Sequence, residues 1–228
     1  MLWPSRLRVD RAAARRLLEE LASQPPTRGL PAGLLGGQAI AISIATQVDV
    51  GLDATSSPAD RVIIVPLDGA LHWTRNRLRR VIRHEMAHLR LRAFLDYRHV
   101  PAWFQEGFAE WAGGGLTCEG DVRIRLDVMS RSINRNRPPS FLQPAFGEQT
   151  RLAYDYYTTV FEFVDAKYDG IVANQRLLQA VREAGLGDGF RRVTGTSLEQ
   201  LAADWQTHVM ERYDGLPERT DCGAVNRA

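Results

Sequence analysis

Residues 75–95 read Arg75-Asn76-Arg77-Leu78-Arg79-Arg80-Val81-Ile82-Arg83-His84-Glu85-Met86-Ala87-His88-Leu89-Arg90-Leu91-Arg92-Ala93-Phe94-Leu95. At about 100° per residue, the stretch sorts into three sectors. Leu78, Ile82, Met86, Leu89 and Ala93 fall together as an apolar stripe. Arg75, Arg79, Arg83 and Arg90 form a second side, which reads as a solvated helix face. Val81, His84, Glu85 and His88 occupy the third. The spacing predicts a helix with a core-facing stripe and a chemically loaded face.

His84-Glu85-Met86-Ala87-His88 is an HExxH motif. Histidines four apart on a helix lie one above the other, so both imidazoles can reach one ion. Glu85, beside them, is placed to hold a metal-bound water as a general base rather than to bind the metal. Seventeen residues separate His88 from Glu106, which stands in Trp103-Phe104-Gln105-Glu106-Gly107-Phe108-Ala109-Glu110-Trp111. A catalytic zinc takes three protein ligands and keeps one position open, and two histidines with a glutamate are one of its usual sets. His84, His88 and Glu106 are therefore the candidate metal ligands. Glu110, one turn further on, could accept a hydrogen bond from the outer nitrogen of a ligand histidine. Two carboxylates among Trp103, Phe104, Phe108 and Trp111 need partners.

HExxH followed by W-F-x-E-G-x-A-E resembles the gluzincin zinc peptidases, and among them the compact peptidase MA-like domains related to thermolysin and the zinc aminopeptidases. The resemblance runs from about Arg61 to Tyr213. It implies zinc on His84, His88 and Glu106, Glu85 as general base and Glu110 as the acid behind the ligands. It also implies a helix carrying a transition-state tyrosine. Tyr154, rather than Tyr156 or Tyr157, matches that position, about fifteen residues before the Gly170 that ends the helix. The G-x-M-E-N element by which the aminopeptidase branch grips a free amine is missing, so internal peptide bonds are the expected substrate. A catalytically inactive zinc-binding scaffold of the same fold is the alternative.

The wider chain gives the frame. Val9–Ser23 reads as an amphipathic helix, and Ala39–Val48 and Arg61–Leu67 as strands separated by a polar turn at Asp53–Asp60. Ala102–Trp111 reads as a short second helix opened by Pro101 and ended by Gly113-Gly114-Gly115. Residues 116–149 carry few periodic signals. Helices are expected at Leu152–Lys167, Ile171–Ala184 and Leu198–Tyr213, the last with a capping-box start in Ser197 and Gln200. The expected fold class is α+β and zincin-like: a small β-sheet packed on the HExxH helix, with a mostly helical C-terminal half. All 228 residues form one domain, with 1–60 as N-terminal helix and first strand, 61–213 as the metallopeptidase core and 214–228 as a tail.

Charge excludes more than it suggests. Of 29 basic residues only Lys167 is a lysine, and 27 acids nearly balance them. So uniform an arginine bias reads as coding composition, and a peptide or protein is the expected partner rather than nucleic acid. Cys118 and Cys222 show no CxxC spacing and read as two free thiols, with one disulfide as the alternative in an exported protein. The N-terminus lacks a signal-peptide apolar region and no run is long enough to span a bilayer, so the chain reads as cytoplasmic, again with export as the alternative. His72, His99 and His208 have no partner spacing, and His72 is kept only as a candidate for the cleft rim.

Overall fold

The computed structural model describes residues 41–45, 55–57, 62–66, 75–95, 99–134, 139–142, 151–213 and Cys222. Three short strands come first: β1 (Ala41–Ala45), β2 (Thr55–Ser57) and β3 (Val62–Pro66). β1 runs parallel to β3 with Ile42 opposite Ile63, and β2 runs antiparallel to it with Ser56 opposite Ile63. β2 lies within the stretch expected to be a polar turn. The helix expected at Val9–Ser23 lies outside the described residues.

The rest of the described chain is helical: α1 (Arg75–Phe94), α2 (Ala102–Gly113), α3 (Cys118–Asn134), α4 (Arg151–Val164), α5 (Ile171–Ala184), α6 (Leu186–Thr194) and α7 (Leu198–Tyr213), with a π-helical turn at Asp165–Asp169. From Arg75 onward, 86% of the described residues are helical. This corrects the α+β, zincin-like expectation. The described core is helix against helix: Leu91 of α1, Phe104, Phe108 and Trp111 of α2, Ile124 of α3, Phe161 of α4, Leu177 of α5, Phe190 of α6 and Trp205 of α7. Two branched-chain runs made the strands conspicuous in the sequence, but three short strands are a small part of the described chain beside seven helices.

Why α2 can lie so close to α4 is visible at Gly107. A Cβ there would sit 2.5 Å from the Tyr157 carbonyl oxygen and 3.0 Å from the Phe161 ring, so only a residue without one allows this approach. The contact fixes the height of Glu106, the residue before it. At the far end of α2, the Gly114 N–H donates to the Trp111 carbonyl and the Gly115 N–H to the Glu110 carbonyl, with Gly114 at φ 140° and Gly115 at φ 79°. The chain therefore turns sharply back toward α1.

Four further points depart from the sequence reading. α3 occupies part of the stretch expected to be irregular. Its start is signalled by Thr117, whose Oγ1 accepts from the Gly120 N–H at 3.0 Å, and by Glu119 and Asp121 in its first turn. α6 was not anticipated either. Arg90, placed on a solvated face, is 7% exposed, while Ala87 and Leu91, outside the expected stripe, are almost fully buried. Lastly, Cys118 and Cys222 are joined as a disulfide, which corrects the free-thiol reading and ties the tail to the start of α3. Ser197 Oγ does accept from the Gln200 N–H at 3.2 Å at the start of α7.

Candidate metal centre

α1 places His84 and His88 one turn apart, and α2, turned back along it, places Glu106 between them. His84 Nε2 lies 3.0 Å from His88 Nε2, and Glu106 Oε2 lies 3.4 Å from the first and 3.2 Å from the second. These three atoms form a single group able to hold a metal ion. The spacing can be tested against zinc. Donors about 2.1 Å from a tetrahedral ion sit roughly 3.4 Å apart, so three such atoms cap one face of the tetrahedron and leave the fourth corner open. The observed edges of 3.0, 3.2 and 3.4 Å fit that face.

Electrostatics explain why this arrangement wants a cation. Two imidazole nitrogens and a carboxylate oxygen all turn lone pairs toward one point. A proton relieves the crowding when no metal does. Burial disfavours charge on His84 more than any other single influence. Yet its hydrogen bond to Glu106, with the negative fields of Glu110, Glu85 and Glu106, outweighs burial and raises its pKa above the ordinary 6.5. Glu106 is the counterpart. Burial pushes its pKa up, but hydrogen bonds from His84 and His88 and their charge pull it down to about 2.

Glu85 is buried, at 7% exposure, and lies close enough to His84 to bias its charge. Glu110, also buried, sits with Oε1 3.7 Å from His84 Nδ1, outside hydrogen-bond range. Its direct hydrogen bonds go elsewhere: Oε2 accepts from Arg80 at 2.7 Å and Oε1 from Arg151 at 2.9 Å. Burial again opposes its charge most, and His84, Arg151 and Arg80 overcome it to lower the pKa. Sequence reasoning missed both arginines. Arg80 lies four residues before His84 on the same helix and could have been suspected; Arg151 is 41 residues from Glu110 and left no local signal.

Tyr154, in the first turn of α4, is half-buried. Burial, then the negative fields of Glu106 and Glu110, pushes its pKa up to about 12. The neighbouring tyrosines are core residues. Tyr156 donates to Asp127 Oδ2 at 2.8 Å, and Tyr157 is 1% exposed against the α2 backbone at Gly107. His208 packs on Phe163 and His99 is exposed, both apart from the metal group; His72 lies outside the described residues. Among the described residues no helix is long and apolar enough to cross a membrane. Comparison with known protein families, curated proteins and solved structures finds no match.

Proposed function

We propose that this chain is a zinc-dependent peptidase that hydrolyses internal peptide bonds. The observation that carries the reading is the convergence of His84 Nε2, His88 Nε2 and Glu106 Oε2, with a buried glutamate, Glu85, adjacent to one of the three in sequence. Zinc held there would supply a Lewis acid that polarises a carbonyl and acidifies a water. The chain's own groups supply the rest. The Glu85 carboxylate accepts the proton of the attacking water and returns it to the leaving amine nitrogen. Tyr154 is protonated at physiological pH, and its hydroxyl would serve as the donor to the developing oxyanion. Glu110, 3.7 Å from His84 Nδ1, would orient the His84 ring once its carboxylate closes on that nitrogen.

The Cys118–Cys222 disulfide supports an oxidising compartment as the place of action, because such bonds do not persist where thiols are kept reduced. Internal cleavage is the favoured reading because the described sequence shows no G-x-M-E-N element of the kind by which the aminopeptidase branch grips a free amine. The test is cleavage of an unbiased peptide mixture by wild type beside Glu85→Gln. Wild type should release fragments cut at internal bonds, while the variant keeps its zinc and loses nearly all turnover. Wild type that holds zinc and cuts nothing would transfer the assignment to the inactive zinc-binding scaffold.

A further inference from the structure

Glu110 is held by two arginines that differ in how firmly they are themselves held. Arg80, on α1, has a side chain 21% exposed; one of its nitrogens donates both to Glu110 Oε2 and to the Gly115 carbonyl. That carbonyl is fixed by the glycine turn, whose Gly115 N–H returns to the Glu110 backbone. Arg151, at the start of α4, is 52% exposed and reaches only Oε1 among the described contacts. Oε1 is also the oxygen that faces His84 Nδ1, at 3.7 Å. One oxygen thus lies between two donors and hydrogen-bonds one of them.

A histidine that gives its Nε2 lone pair to a metal must carry its proton on Nδ1, and that N–H seeks an acceptor at roughly 2.7–3.2 Å. Oε1 can close on His84 only by loosening from Arg151. Resting on the metal-centre reading above, we propose that the two arginines act on metal affinity in opposite directions through Glu110. Arg80 is a positioning residue that holds the carboxylate against α1. Arg151 is a competitor that draws Oε1 away from His84 and yields it when metal binds.

The directions make the idea testable without any activity. Removing either arginine takes a positive charge from beside a cation site, so charge alone predicts tighter zinc in both variants. The measurement is zinc affinity of the full chain by chelator competition at fixed pH and ionic strength. Arg151→Gln should bind zinc more tightly, by roughly 3–10-fold. Arg80→Gln should bind it more weakly, by roughly 10–100-fold, as loss of a ligand's outer partner does. In a Glu110→Gln background the two arginine effects should lose their opposite signs. Tighter zinc in Arg80→Gln, or unchanged or weaker zinc in Arg151→Gln, overturns the proposal while leaving the metal centre standing. Should Arg80→Gln fail to fold, Arg151→Gln decides alone: its tightening should shrink in the Glu110→Gln background, and tightening of equal size there overturns the proposal. A wild type that binds no zinc overturns both the proposal and the metal centre.

Discussion

Helix α2 looks two ways. Toward α1 it offers Glu106 and Glu110, whose neighbours are His84, His88, Arg80 and, from α4, Arg151. Toward the bundle interior it offers Phe104, Phe108 and Trp111, which meet Phe161 of α4 at ring distances of 5.2, 5.8 and 6.3 Å. The aromatic side is held by area removed from water and by packing, so its energy is spread over many contacts. The charged side is held by mutual neutralisation: each acid there stays ionised despite burial only because cations or imidazoles stand opposite. Changes on the first side should therefore cost stability and spare chemistry; changes on the second should do the reverse.

The largest expected effect lies in the aromatic region. Trp205 is fully buried, packs on Phe141 and Tyr156, and donates its ring N–H to Thr159 Oγ1 at 3.0 Å. Trp205→Ala should lower unfolding free energy by about 3–5 kcal/mol in a denaturant titration while zinc stoichiometry is retained. Loss of zinc in a still-folded variant would break the division between the two sides.

Tyr154 tests the boundary, because it stands on a packed helix yet lies within the electrostatic reach of Glu106 and Glu110. Tyr154→Phe removes only a donor, so stability and zinc affinity should hold while kcat and kcat/KM fall together by roughly 10²–10³-fold. Tyr156→Phe and Tyr157→Phe should reduce turnover far less. A crippled Tyr156→Phe or Tyr157→Phe with an active Tyr154→Phe would move the oxyanion donor elsewhere, and three active variants would remove it.

The smallest effect is on the metal-free protein's dependence on pH. Glu106, pulled down to about 2, stabilises the fold above its ordinary 4.5 and loses that contribution as pH falls from there toward 2. His84, raised, stabilises below its ordinary 6.5 and loses its contribution as pH climbs through the folded value. The charged cluster should thus contribute most between about pH 4.5 and 6.5, and thermal melting of chelator-treated protein should show that maximum relative to Glu106→Gln. A stability difference that declines neither below pH 4.5 nor above pH 6.5 would mean that the pairs in α1 and α2 do not neutralise one another.

The same contrast explains what the sequence revealed. His84, Glu85 and His88 stood out by their spacing on one helix, and Glu106 and Glu110 by standing as carboxylates among aromatic residues in a segment that resembles a known family's. The aromatic residues that anchor α2 were equally legible from their density. Contacts that join distant segments were not: Arg151 reaches Glu110 across 41 residues, and Phe141, in a proline-rich stretch without periodicity, bridges Trp103 and Trp205. α3 was missed because its core contribution is concentrated in Ile124 and Val128, while Leu126 is 52% and Met129 41% exposed, which blurs the helical stripe. The fold class went wrong by the same logic. Short branched-chain runs were weighted as a sheet layer, whereas most of the described chain is helical, from α1 through α7.

The central claim is that three side chains on α1 and α2 make one metal site. It is tested most directly by zinc stoichiometry after dialysis, measured by elemental analysis on wild type, His84→Ala and Glu106→Ala. The account predicts about one zinc per chain in wild type and loss of it in both variants, each still folded. Wild type without zinc, or stoichiometric zinc retained in both variants at unchanged affinity, would contradict it.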